Sequence, residues 1–325
     1  MTPTREYTRS LDQLRRDDES SFGGKSASLG ELLAAGIPVP GGFALSTAAY
    51  AAFASDDAVV AAISDGAAPV IADAMRAAEM PAKVVDEIAR AYEALGEPPV
   101  AVRSSAIGED SEEATFAGQQ ETFLWVRGAE QVCKALRDCW ISLYSATAIA
   151  YRARLGRERE AAMGVTVQEM VDAEVSGVMF TCNPVSGDLS MVAIDASWGL
   201  GLAVVGGEVT PDDYLVSKVT REVVRAQVND KHHEYVPDPD GGRAVRVDVP
   251  AERRSARCLD DDALAALVDV AKRVERHFGS RQDIEWAIAR GRWAPHGLYL
   301  LQSRPVTGIA THETKPAPTS ARSSG

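Results

Sequence analysis

The C-terminal third of the chain shows the sharpest pattern of apolar and polar positions. Asp283–Ala289 and Leu298–Ser303 are two alternating runs of strand length, joined by a segment holding Gly291, Pro295 and Gly297. The pattern predicts a β-hairpin. Residues two apart on a strand share a face, so Asp283 and Glu285 lie together while Ile284, Trp286 and Ile288 take the other side. Gln302 and Arg304 likewise share a face of the second strand. If the strands pair, two carboxylates, an amide and a guanidinium meet on one small surface. Carboxylate and amide oxygens suit Mg²⁺, and a forked donor suits phosphate. The same set also makes an ion-pair patch on an edge hairpin, and the local pattern does not choose between these.

Upstream, Leu264, Leu267, Val268, Ala271 and Val274 recur at helical spacing and predict an amphipathic helix over Asp260–His277. Val165–Val171, Val175–Thr181 and Met191–Ala196 read as strands, and residues 221–258 as hairpin material with a turn at Pro237–Gly242. In that reading His232 and His233 are exposed hairpin residues. Three or four helices are expected across the alanine-rich residues 47–95. Two more are expected over residues 129–155, with Trp140, Leu143 and Tyr144 in the core. Val100–Val102 is a short buried strand that runs into Arg103-Ser104-Ser105. Leu29, Leu32 and Leu33 mark a helix stopped by Gly36, entered through Gly23-Gly24-Lys25-Ser26. Amides and an ammonium at a helix start can receive phosphate. A Walker A loop puts a glycine where Glu19 stands, so that motif is excluded. Gly199-x-Gly201 lacks the third glycine of a dinucleotide fold, which excludes that reading too.

Composition narrows the class. The chain's 325 residues are enough for two subdomains, and 46% apolar with 25% charged residues is ordinary for a globular protein. A net charge of −13 argues against a nucleic-acid binder. The four cysteines show no metal or CxxC spacing and read as free thiols of a reducing compartment. No apolar run approaches the roughly 20 residues that span a bilayer, and the N-terminus has no apolar leader. The expectation is a cytoplasmic protein with no membrane partner.

Several segments, in order, resemble one family. GGKSASLGELLAAGIPVPGGFALSTAAYAAF, VAVRSSAIGEDSEEATFAGQQETFL, SGVMFTCNPVSGD, ASWGLGLAVVGGEVTPDDYLV and QDIEW…LYLLQSRPVT are similar to the nucleotide-binding domain of the phosphoenolpyruvate synthase, pyruvate phosphate dikinase and rifampin phosphotransferase family. The resemblance implies an α+β, ATP-grasp-type fold of two subdomains with ATP and Mg²⁺ between them. It divides the chain into a polar segment 1–20, an N-terminal subdomain 21–164, a C-terminal subdomain 165–308 and a disordered tail 309–325. It makes Lys25, Arg103 and Arg304 phosphate ligands, with Asp283 completing the catalytic set. Glu285, Gln302 and Asp283 become the metal ligands. Thr115, Ala117, Gly118 and Gln119 become a loop over the phosphates, and Gln168, Glu169 and Val171 the adenine and ribose contacts. Leu202 departs from the family's usual acidic residue after its Gly-Leu-Gly.

Larger relatives carry a phosphohistidine domain as well. None of His232, His233, His277, His296 and His312 stands in a glycine-rich Ser-His context. The resemblance therefore implies a phosphohistidine-domain partner in trans that passes phosphate to an alcohol, phenol or pyruvate-like acceptor, as in phenylphosphate synthase. A nucleotide-sensing module without catalysis, and a stand-alone kinase or ligase that yields ADP, remain open alternatives.

Overall fold

The computed structural model describes residues 6–107, 121–154, 162–238 and 241–306. The chain opens with strand β1 (Thr8–Ser10), a short helix α1 (Glu19–Phe22), helix α2 (Gly24–Ala34) and strand β2 (Gly42–Leu45). Helices α3 (Thr47–Phe53), α4 (Asp57–Asp65), α5 (Ala68–Ala77) and α6 (Ala82–Ala94) follow, matching the alanine-rich helical stretch expected from sequence. Strands β3 (Val100–Ala106) and β4 (Thr122–Val126) come next, then helices α7 (Ala129–Ser142) and α8 (Ala146–Arg154) and strand β5 (Met163–Glu169). The second half holds β6 (Ala173–Phe180), β7 (Met191–Trp198), a short α9 (Leu202–Val205), β8 (Asp212–Ser217) and β9 (Val223–Gln227). It continues with β10 (His233–Pro237), β11 (Ala244–Asp248), a short α10 (Ala251–Arg254) and the long α11 (Asp261–Phe278). It ends on β12 (Gln282–Ala289) and β13 (Leu298–Pro305).

Among the described residues these strands form two antiparallel sheets and a separate β10–β11 hairpin. The first sheet runs β1-β2-β5-β3-β4 and the second β13-β12-β6-β7-β8-β9. This is the α+β, two-subdomain class expected of an ATP-grasp-type chain.

Each sheet buries one face under helices. On the first, Phe43, Leu45, Val100, Val102, Val165 and Val167 join Phe53, Ile71, Ile88, Tyr92, Leu136 and Trp140. On the second, Val175, Met179, Val192, Ile194, Ile284, Trp286 and Leu300 pack against Leu264, Leu267, Val268, Ala271 and Val274 of α11. That helix is well bounded. The Asp260 carboxylate accepts the Ala263 N–H at its start, and Gly279 closes it at φ 68°. The two faces left over, with Ala101 and Arg103 on β3 and Asp283 and Glu285 on β12, hold candidate site residues from both sheets.

Helix α2 ties the sheets together. Its Leu29 and Leu32 enter the core of the second sheet, and Ser28 Oγ donates to the Ser303 carbonyl at 2.7 Å. At its start, Ser26 Oγ and Thr166 Oγ1 are 2.7 Å apart, against the first sheet. Gly23 enters this helix at φ 82°, where an added Cβ would lie 2.1 Å from the Ser105 carbonyl oxygen.

Three details differ from the sequence reading. The expected polar N-terminal segment pairs Thr8–Ser10 with Phe43–Leu45 and buries Leu11 and Leu14 completely, because two leucines among charges suffice to anchor it. The hairpin expected within residues 221–258 is β10–β11, but it leaves out β9, which extends the second sheet beside β8. His233 is buried at 3% exposure, with Nε2 3.3 Å from Glu208 Oε2, because strand alternation turns it inward while His232 stays exposed. The tail from residue 309 lies outside the described residues.

Gly23→Ala is expected to lower the unfolding free energy by more than about 3 kcal/mol, since it adds a backbone collision to left-handed strain. Gly66→Ala, equally left-handed at φ 78° but with nothing within 4 Å of an added Cβ, should cost only about 1–2 kcal/mol. Urea unfolding of the two variants measures the difference; equal losses would mean that the contact with Ser105 is easily relieved.

Candidate nucleotide and metal site

Strand β3 turns Val100 and Val102 into the helical core, so Arg103 takes the other face and reaches toward the second sheet. There β12 and β13 pair with Asp283 opposite Arg304 and Glu285 opposite Gln302. The register slips after Glu285, where Trp286 faces Leu300, leaving Leu301 as the extra residue of a bulge. Arg103 meets this bulge. One terminal nitrogen, Nη1, donates to the Leu301 carbonyl at 2.9 Å. The other, Nη2, donates to Glu285 Oε2 at 2.6 Å and to Gln302 Oε1 at 2.9 Å. Beside this clamp Arg304 Nε donates to Asp283 Oδ2 at 2.9 Å. Lys25, on the first turn of α2, is buried at 5% exposure and acts on Glu285 electrostatically.

The two acids are driven apart in pKa. Burial alone would raise Glu285, but the Arg103 guanidinium, with Lys25 and Arg304 beyond it, outweighs burial and holds Glu285 below its ordinary value. For Asp283 burial prevails over the Arg304 guanidinium, Glu285 adds repulsion, and the pKa rises. A third carboxylate shares this face. Glu285 pairs with Val178 and Val178 with Asp195, so all three project from the same side of the second sheet. Asp195 is pushed up to about 6 by burial and by Asp213. Sequence reading missed Asp195, although its position between the core residues Ile194 and Ala196 is the signal that would have placed it on this face.

The expected base contacts fall where the chain passes between sheets. Gln168 and Glu169 end β5, Val171 follows, and β6 begins at Ala173. Gln168 is 2% exposed, and its buried Nε2 has no hydrogen-bond partner. Val171 belongs to a small apolar cluster with Trp125, Ala173, Leu200, Ala287 and Leu301. Trp125 and Ala287 were also missed, because their meeting depends on how the two sheets face one another. Thr115, Ala117, Gly118 and Gln119 lie outside the described residues. Of the described candidates, then, Lys25, Arg103, Asp283, Glu285, Gln302 and Arg304 form one polar group, and Gln168, Glu169 and Val171 lie at the passage between sheets.

Two observations fit a polyanionic nucleotide. Among the described residues Arg103 Nε and Gln168 Nε2 are buried donors without partners, and such groups are costly unless a ligand satisfies them. The oxygens of Glu285, Gln302 and Asp283 fit a Mg²⁺ that arrives with a nucleotide, since such an ion keeps several waters and needs only one or two carboxylates. Among the described residues no three His, Cys, Asp or Glu side chains are grouped to hold a metal unaided. No described helix is long and apolar enough to cross a membrane.

Known proteins are similar to this chain over most of its length. Residues 19–324 match the family described as "Pyruvate phosphate dikinase, AMP/ATP-binding domain". A protein of Methanothermobacter thermautotrophicus named "Probable phosphoenolpyruvate synthase" is 41% identical, over 95% of this chain and 47% of its own length. The phosphoenolpyruvate synthase of Aeropyrum pernix is 36% identical, over 91% of this chain and 42% of its own length. The chain thus spans less than half the length of these relatives. Among solved structures, PH1788 of Pyrococcus horikoshii is 14% identical with a TM-score of 0.35, over 77% of this chain and 97% of that one, too loose a likeness to argue from.

The lowered pKa of Glu285 has a definite sign in stability. Its ion pair with Arg103 contributes fully above the ordinary carboxylate value of 4.5 and is lost as pH falls through the lower folded value. In Arg103→Met the stability deficit relative to wild type should therefore narrow as pH falls below that value. Carboxyl NMR should show Glu285 titrating higher in the variant. A deficit that is independent of pH would dissociate Glu285 from Arg103.

Proposed function

The chain belongs to the pyruvate phosphate dikinase AMP/ATP-binding domain family, and from that premise we propose that it is the ATP-dependent phosphorylating subunit of a split dikinase. The observation that carries this reading is the Arg103 clamp on Glu285 and Gln302, set beside the Asp283–Arg304 pair. In the proposal ATP lies between the two sheets with its polyphosphate at this clamp. Lys25, Arg103 and Arg304 bind phosphate oxygens and neutralise the charge that builds during transfer, which is most of what phosphoryl chemistry asks of a protein. Arg103, now donating to Glu285 and Gln302, would share its donors with the phosphates. Glu285 and Gln302 would hold Mg²⁺, and Asp283 would serve as a further ligand or base. Bound Mg²⁺ supplies charge neutralisation on the phosphates. Gln168, Glu169 and Val171 would take the base and ribose, and Thr115, Ala117, Gly118 and Gln119 the phosphates from above.

The phosphoryl acceptor in this proposal is a histidine on a partner protein. A P–N bond forms at the β-phosphorus as AMP departs, and water then removes the γ-phosphoryl group as phosphate. The partner passes its phosphoryl group to an alcohol, phenol or pyruvate-like acceptor. Two of the chain's own histidines are already engaged away from the site, His233 with Glu208 and His277 with Glu31 at 2.9 Å. That favours an acceptor histidine elsewhere.

Glu285→Gln and Arg304→Ala should each lower turnover at least about 100-fold, the scale of losing one charge-stabilising group, while circular dichroism shows the fold intact. Nucleotide products from β- and γ-labelled ATP, formed with and without a histidine-domain partner, test the reaction itself. AMP that appears only with the partner, together with β-label on the partner, is the expected result. ADP from the chain alone would replace the dikinase reading with an independent kinase, and binding without turnover would favour a sensor.

A further inference from the structure

Trp125 adopts φ 64° on strand β4. A bulky residue in the left-handed region is strained, and such strain persists only where the surroundings enforce it. The cause here is a bulge. Val102 faces Phe123 and Val100 faces Val126, so Leu124 and Trp125 together oppose Ala101. Val126 remains in the helical core of the first sheet. Trp125 is thereby turned to the opposite face, toward the second sheet. There it is 7% exposed and packs in the cluster with Ala287 and Leu301 of the catalytic hairpin and with Met170 and Val171 of the passage between sheets. Ala101, its neighbour across the bulge, pairs with Gln168, whose buried Nε2 lacks a partner. A flat aromatic ring, small alanines from both sheets and an unsatisfied amide donor thus surround the place where the passage segment begins.

We propose that Trp125 is a specificity-determining residue of the nucleotide site, an aromatic wall that selects purine over pyrimidine nucleotides by contact with the base. This rests on the ATP-binding reading above and adds the base preference and the residue responsible. An aromatic face accepts any base, but a purine offers it more area, and the amide of Gln168 supplies a donor at the edge. The left-handed backbone is what brings an edge-strand side chain over the cleft, so the strain has a use at this position.

The test is the binding of Mg-ADP and Mg-CDP to wild type, Trp125→Phe and Trp125→Gly, by calorimetry and tryptophan emission, with melting curves alongside. Wild type is expected to prefer ADP and to change its emission on binding. Trp125→Phe should keep the preference and lose most of the emission change. Trp125→Gly, which also relieves the backbone, should bind ADP about 5- to 150-fold more weakly, the span of one lost base–aromatic contact, while CDP affinity changes less. If Trp125 were only packing between the sheets, Trp125→Gly would melt lower and keep its base preference, and the proposal would fall. Should Trp125→Gly not fold, an undiminished emission change in Trp125→Phe overturns the proposal by itself. Wild type that binds neither nucleotide would overturn the ATP-binding reading and this inference together, whereas ADP binding indifferent to Trp125 would overturn this inference alone.

Discussion

The contact on which the rest of the site depends is the Arg103 guanidinium crossing from one sheet to the other. Its side chain is only 11% exposed, and a charge so buried must find partners or destabilise the fold. The second sheet supplies three, all from one hairpin: the carboxylate of Glu285, the amide oxygen of Gln302 and the carbonyl of Leu301. The carbonyl comes from the β-bulge residue, beside a register step that would be absent from a regular hairpin. The bulge is therefore part of the site, and a strict two-residue alternation through Leu301 would offer Arg103 a different set of groups. One donor, Nε, is still left over. A site that keeps one donor of a buried cation unpaired is less stable than it need be and better prepared for a polyanion.

Helix α2 answers the companion question of how Lys25 is held against this clamp. The helix is anchored to the first sheet through Ser26 and Thr166 and to the second through its leucines and through Ser28. Lys25 sits between these anchors and inherits its position from both. Its charge acts on Glu285, so the acid that leans on Arg103 feels three cations, Arg103, Lys25 and Arg304, delivered by three different elements. Local placement of this kind is how a chain with net charge −13 would present cations to the proposed nucleotide. The total sets the long-range potential, and the cleft sets the potential where it matters.

The legible parts of the sequence were those whose cause is local. The hairpin, its polar face and the pairing of Asp283 and Glu285 with Arg304 and Gln302 follow from strand period and a turn segment. The α11 stripe follows from helical spacing. What escaped was set by contacts between distant strands. The bulge at Leu301 shifts register without any local mark. Asp195 joins the site face only because β7 lies two strands from β12. His233 was placed outside, whereas its partner Glu208 precedes it by 25 positions. The N-terminal segment looked polar by count, although the two leucines it buries are the residues that decide where it goes. The remaining site residues entered through the family resemblance. The structure adds to that how the groups meet, with Arg103 from the first sheet and the acids from the second.

That division has a mechanical consequence. The polar end of the cleft is bridged by Arg103 and the apolar end by Trp125, and both come from the antiparallel pair β3–β4. Among the groups they meet, Glu285, Ala287, Leu301 and Gln302 come from the other antiparallel pair, β12–β13. A ligand that changes the spacing of the two pairs at one end must then change it at the other, because strands hydrogen-bonded along their length tilt as a unit. In the proposed reading, base recognition and phosphate positioning are coupled through the backbone, with no chain of side chains needed to relay the signal. A site built this way would couple the identity of the proposed nucleotide to the alignment of its phosphates, since a base too small to fill the space by Trp125 would leave the clamp at Arg103 differently set.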